Sequence, residues 1–187
     1  MRGGTTTVSA GGVLKGAGTF GNYVLTEFGV FSPGTASTGS SVWNGGGRFV
    51  FEIANANGIA GINGVAGSLS LVAGASPFTI RVDSLLSDNS AGALTDFNAA
   101  GSYSFDVVRT TGGVSGVPAG FFALDTAGFV ALNPGASAGA WSVGVSGNTV
   151  QVRYAGAAVV PEAGAGWLLL IAAPGLGLVA RRRGAKA

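Results

Sequence analysis

Histidine and cysteine are both absent from the chain, and these two gaps exclude a large share of protein chemistry. Without them no Ser-His-Asp triad, cysteine nucleophile, His/Cys zinc site or disulfide framework can be assembled. The missing thiol says nothing about compartment, since a cysteine-free chain suits any redox environment. Charge is scarce as well: Asp, Glu, Lys and Arg make up 10% of the 187 residues, against about 25% in ordinary globular domains. What the chain has instead is glycine, at 35 positions, together with a hydrophobic fraction of 47%. That fraction argues against disorder, and the glycines lack the three-residue period of collagen. The length suits one ordinary domain.

The net charge of +2 is unevenly placed. From Met1 to Val160, six basic residues (Arg2, Lys15, Arg48, Arg81, Arg109, Arg153) stand against seven acids (Glu27, Glu52, Asp83, Asp88, Asp96, Asp106, Asp125). The remaining basic groups, Arg181, Arg182, Arg183 and Lys186, lie at the extreme C-terminus. Nucleic-acid binding needs a basic face interleaved with aromatics; this near-neutral body offers none, and no nucleic-acid partner is expected.

Short apolar or β-branched runs, broken by Gly, Asn, Ser or Pro, fill the first 158 residues. Arg48–Ile53, Ser68–Val72, Phe78–Val82, Ser102–Val108, Trp141–Val145 and Thr149–Tyr154 are of strand length, and several alternate with period two. Ser40–Asn44 and Leu94–Asn98 are weaker strand candidates, and no amphipathic helix of useful length survives the glycines. The predicted class is all-β. Dense Gly and Asn at the strand ends, where tight corners demand positive φ, suits a parallel β-helix, a solenoid that could end in a β-sandwich-like region. Thr5–Leu14 reads as one rung, with Lys15–Gly21 turning into the next. Stacked coils need a cap, and none precedes Met1. The expectation is therefore a truncated N-terminus lacking its signal peptide, or else a genuine Met1 with its first rung covered by a partner.

The sequence changes character after Tyr154. Ala163–Ala180 carries no charge and ends in Arg181-Arg182-Arg183. At about 1.5 Å per residue it reaches nearly across a hydrocarbon core, so a transmembrane helix is predicted over about 164–180. Pro174 and Gly175 are tolerable in such a span, and Trp167 lies where an indole favours the interface. The arginines fix the orientation, with the tip in the cytoplasm and the body outside. The two predicted regions are thus a body, 1–158, and a membrane tail, 159–187.

Val160-Pro161-Glu162, the apolar stretch and the terminal arginines together resemble the PEP-CTERM sorting domain of Gram-negative exported proteins. That family has a second Pro where this chain has Ala163. The resemblance implies a precursor held in the inner membrane and processed near Val160 to Ala163 by exosortase, a membrane protease-transpeptidase. The released body would then join the cell surface or the extracellular matrix, with exopolysaccharide a candidate partner. The body is similar to autotransporter-associated β-strand repeats, through Gly12–Thr19, Phe31–Gly34, Phe49–Ile53, Pro77–Ile80, Ser102–Phe105 and Phe122–Phe129. This second resemblance implies a passenger-like β-helical surface protein and assigns no ligand.

Three familiar motifs occur without their chemistry. Gly16-Ala17-Gly18-Thr19-Phe20-Gly21 fits the dinucleotide fingerprint, but no helix follows to hold a pyrophosphate. Gly135-Ala136-Ser137-Ala138-Gly139 fits a nucleophile elbow, but there is no histidine base. Asp125-Thr126-Ala127-Gly128 resembles an aspartic-protease triplet with one residue inserted and no second copy; it reads as a turn. Asp83, Asp88 and Asp96 could offer oxygen ligands to Ca²⁺, but the Gly-rich nonapeptide of calcium β-rolls is absent. No cofactor or metal is expected. The leading expectation is a non-enzymatic exported structural or adhesion protein. Its rivals are a polysaccharide-active β-helix enzyme using a cluster such as Arg81, Asp83 and Asp106, and an adhesin binding glycans through Trp43 and Trp141.

Overall fold

The computed structural model describes residues 4–33, 36–56, 63–65 and 67–157, with 63–65 described through their backbone. The chain divides between Ala157 and Ala158 into two units, and the first holds all the described residues.

Strands come in threes. The first circuit of the chain contains β1 (Thr5–Val8), β2 (Val13–Lys15) and β3 (Gly18–Thr19), and the second β4 (Asn22–Leu25), β5 (Val30–Ser32) and β6 (Ala36–Thr38). The third has β7 (Ser41–Asn44), β8 (Arg48–Ile53) and β9 (Asn63–Val65), and the fourth β10 (Leu69–Val72), β11 (Phe78–Ser84) and β12 (Ser102–Thr110). A fifth passage begins with β13 (Val114–Ser115) and β14 (Phe122–Asp125). It continues through a short helix α1 (Ala127–Leu132) and a 3-10 turn (Pro134–Ala138) into β15 (Ala140–Ser146) and β16 (Thr149–Ala155).

Every third strand joins the same sheet. The first sheet runs β1-β4-β7-β10-β13 and the second β2-β5-β8-β11-β14, both parallel throughout. The third runs β3-β6-β9-β12 in parallel and then closes with β16 and β15, each antiparallel to its neighbour. The all-β expectation therefore holds for the described body. Three details differ from the sequence reading. Lys15–Gly21, read as a turn, contains β3, so each circuit has three strands. Leu94–Asn98 forms no strand, because it lies in the long β11–β12 connection, where Asn133 Oδ1 accepts from Leu94 N–H at 2.9 Å and Asp96 Oδ1 from Ala56 N–H at 3.0 Å. The last described strands extend the third sheet edge-on as a hairpin instead of building a sandwich.

Alternation puts one side of each strand inside. In β11, Phe78, Ile80, Val82 and Ser84 are buried and the residues between them half-buried. Register then stacks like on like: Leu14, Phe31, Phe49, Ile80 and Leu124 are successive partners across the second sheet. Opposite them, Trp43 lies parallel to Phe78 at 4.5 Å between ring centroids and tilted against Phe49 at 5.2 Å. Each fully buried ring of this kind contributes about 1.5–3 kcal/mol relative to exposure. The Trp43 indole N–H donates to Tyr23 Oη at 2.8 Å, so a buried polar edge is satisfied inside the column. A second aromatic cluster of Phe97, Tyr103, Phe129, Trp141 and Tyr154 fills the hairpin end.

The corner between the first and second sheets repeats one turn in four of the five circuits, all but the one between β10 and β11. Backbone bonds Gly12 N–H to Ser9 O, Gly29 to Thr26, Gly47 to Asn44 and Phe121 to Pro118 each close a four-residue turn, at 2.8, 3.0, 3.1 and 3.2 Å. The third residue of each has positive φ: Gly11 (75°), Phe28 (60°), Gly46 (79°) and Gly120 (68°). This is the geometry of a type II turn, whose third position favours Gly or Asn. Three of these corners obey that preference and one breaks it with phenylalanine.

Candidate functional site

Polar chemistry on the body is distributed by sheet. The strands of the first sheet contain no charged residue at all. The outer face of the second sheet carries most of the rest. Its registers align Val13, Val30, Arg48, Thr79 and Ala123 in one row. A second row holds Arg81 beside Asp125, and a third Glu52 beside Asp83. Arg81 Nε donates to Asp83 Oδ1 at 2.9 Å. Partial burial pushes the Glu52 carboxyl above its usual value; the positive charge of Lys15 opposes this, and the neighbouring Asp83 carboxylate reinforces it.

The outer face of the third sheet holds a separate network. Asp106 Oδ2 accepts from Arg109 Nε and its Oδ1 from Gln151 Nε2, both at 2.7 Å, and Gln151 Oε1 accepts from Arg153 Nη2 at 2.8 Å. Arg81 and Asp83 are therefore together, but Asp106 is on a different sheet. The three residues that an acid-base reading would combine do not share a face.

Other acids serve the backbone. Asp88 accepts from Ser90 N–H at 2.9 Å and from its hydroxyl at 2.6 Å, and these bonds hold the carboxyl below its usual range. Asp125 Oδ1 accepts from Ala127 N–H at 3.3 Å, a local turn that leads into α1. Asp83 belongs to β11, while Asp88 and Asp96 lie in the following connection, and no three His, Cys, Asp or Glu groups gather as a metal site among the described residues. Of the two tryptophans of the adhesin reading, Trp43 is fully buried, and Trp141 is half-buried with its indole N–H donating to Ala136 O at 3.3 Å. Both rings pack in the interior clusters.

The residues of the sorting reading, Val160, Pro161, Glu162, Trp167, Arg181, Arg182 and Arg183, and the predicted span at 164–180 lie outside the described residues. Among the described residues no helix is long and apolar enough to cross a membrane.

An exposed aromatic stands at the broken corner. Phe28 is 63% exposed and Val13, the register partner of Val30 in the preceding circuit, 61%, the two most exposed large hydrophobic residues described. Phe28 borders a groove of about 330 Å³ lined also by Val30, Gly46, Gly47, Arg48, Ser76, Pro77 and Thr79. A larger groove of about 410 Å³ lies against the β11–β12 connection, but its acids are Asp88 and Asp96, already engaged as above. Sequence reading missed Phe28 and Arg48. The available signal was an aromatic in the Glu27-Phe28-Gly29 corner, outside any alternating run.

Neither a protein-family model nor a curated protein nor a solved structure matches this chain.

Proposed function

We propose that this is a non-enzymatic exported protein of the cell surface or extracellular matrix. Its body is a parallel β-helix, and it is delivered by a C-terminal membrane sorting signal of PEP-CTERM type that exosortase processes. One observation carries the reading: a charge-poor body of parallel strands, distributed in rotation over three sheets, precedes a Pro-Glu, apolar and triple-arginine tail. Rotation through three sheets supports the winding of a β-helix, in which each circuit is stabilised mainly by its neighbours. Such a body offers repeated outer faces and needs no catalytic group. The polysaccharide-active alternative gains no support, since Arg81 and Asp83 are separated from Asp106.

The test is the intact mass of the protein recovered from the envelope of its native cell, beside a variant lacking 161–187. Loss of the segment after about Pro161, with the truncated variant released from the membrane fraction, is the expected result. A retained tail refutes processing, and unchanged membrane association of the truncated variant refutes the sorting role.

A further inference from the structure

The geometry points to a binding site for a carboxylate-bearing sugar at the second corner of the body, with Phe28 as its stacking platform and Arg48 as its anion contact. The argument begins with backbone strain. Four corners use the same turn, and its third position requires the left-handed region, which costs a bulky side chain dearly. Gly11, Gly46 and Gly120 meet the requirement without strain, whereas Phe28 occupies it at φ 60°. Neighbouring circuits hold it there: Gly11 N–H donates to Phe28 O at 3.3 Å, and Phe28 N–H donates to Gly46 O at 2.9 Å. Asn89, the other non-glycine residue at positive φ among the described residues, is of a type that tolerates it.

The strain is not compensated by burial, because the residue is 63% exposed. Core packing therefore does not account for the residue, and strain kept at an exposed position is a mark of function. The surroundings supply the chemistry. Phe28 and Val30 line the groove, and Val13 pairs with Val30 from the preceding circuit, an apolar surface suited to the C–H face of a pyranose. Ser76 and Thr79 line the same groove with hydroxyls. Arg48 is exposed and has no carboxylate partner among the described residues. A guanidinium with a free fork recognises a carboxylate in bidentate fashion. One acid borders the site: the Glu27 side chain lies over Gly46, where a Cβ would meet its Cγ at 2.6 Å, and it forms no ion pair with Arg48. The groove volume of about 330 Å³ is that of a small-ligand site.

A sugar fits better than a peptide. Extended peptides gain most of their affinity by pairing with a free strand edge. Here the backbone around the groove is already committed: Gly46 N–H donates to Pro77 O, Arg48 N–H to Gly29 O and Thr79 N–H to Gly47 O. These three N–H groups are not free to pair with an added strand. The site stands on this geometry and does not depend on the sorting reading.

The experiment is calorimetric titration of the full chain, kept in solution by mild detergent, with oligogalacturonate, its methyl ester and poly-glutamate. Oligogalacturonate is expected to bind in the micromolar to millimolar range, with the ester about tenfold weaker through loss of the charge-assisted contact. Phe28→Gly installs the residue of the other corners, so it should weaken binding about tenfold while its melting temperature stays level or rises. Arg48→Gln should weaken the acid to the level of the ester and leave the ester unchanged. Absence of binding to oligogalacturonate, or undiminished binding by Phe28→Gly, overturns the site. Tighter binding of poly-glutamate than of the sugar overturns the ligand class.

Discussion

The hydrogen bond between Trp43 and Tyr23 tests whether the interior column holds neighbouring circuits together. It joins β4 to β7 through two fully buried side chains at 2.8 Å, inside a ring stack with Phe49 and Phe78. Replacing Trp43 by Phe removes the donor and part of the ring. The lost packing and the residual cavity should cost about 1–2 kcal/mol, and the lost hydrogen bond about 1 kcal/mol more. Tyr23→Phe keeps the ring but takes the acceptor from a buried indole N–H, at a cost of about 1–3 kcal/mol. Both single changes delete the same bond, so the double variant should be less destabilised than the sum of the two by about 1 kcal/mol or more. Urea unfolding of all four proteins, followed by far-ultraviolet circular dichroism, measures that coupling. A coupling below about 0.3 kcal/mol would be additivity within error and would refute the claim that this bond links the circuits; a neutral Tyr23→Phe would refute it outright.

Other predictions address the corners and the outer faces. A Cβ on Gly45 would lie 2.5 Å from both Gly74 N and Ser76 O, so Gly45→Ala must push two backbones apart and should cost about 1–3 kcal/mol. Gly120→Ala meets nothing within 4 Å at φ 68° and should cost only the left-handed strain of about 1–2 kcal/mol; thermal melts of the pair give the comparison. The Glu52 carboxyl, raised by partial burial above its ordinary value, binds its proton more tightly folded than unfolded. It therefore weakens the fold progressively as pH rises from the unfolded value through the folded one, and is neutral in both states well below. Glu52→Gln should accordingly stabilise at pH ~7 and lose that advantage at pH ~3, and a melting-temperature profile with the opposite slope would reject the assignment. Arg109→Ala breaks an exposed pair with Asp106 and should shift stability by less than about 1 kcal/mol in denaturant unfolding.

The legible part of the fold was the part written in period two. Arg48–Ile53 and Phe78–Val82 alternate cleanly, because the interior of each circuit is apolar and the outside is wet, and both became long strands of the second sheet. The third strand of the first circuit was illegible for a physical reason. Gly18-Thr19 is too short to show a period and is held by parallel pairing with Ala36 and Ser37 in the next circuit, a contact that local sequence does not encode. Leu94–Asn98 misled in the opposite direction: its apolar residues are spaced like a strand, yet Leu94 is buried within a connection whose backbone bonds go to side chains of Asn133 and Tyr103. The charged groups were legible as types and not as neighbours. Asp106 and Arg109, three apart in β12, are an ion pair, whereas Asp106 and Arg81 belong to different sheets.

Repetition is what allows an anomaly to be recognised in a body of this kind. When successive circuits impose the same backbone conformation at the same corner, the residue best suited to it should recur, and here glycine does so at 11, 46 and 120. A sequence read without its registers shows three glycines among 35 and an unremarkable phenylalanine. The turn bonds convert Phe28 into the one member of an equivalent set that violates its own local rule. Local inconsistency of that kind concentrates where something other than folding sets the residue. The inward-facing departures do not have this character: Ser41 and Trp43 alternate with larger and smaller partners in the same rows, and interior packing explains each. Phe28 is strained, solvent-facing and shares its groove with a guanidinium that no described carboxylate pairs, so its ring is accounted for by what binds to the body and not by how the body folds.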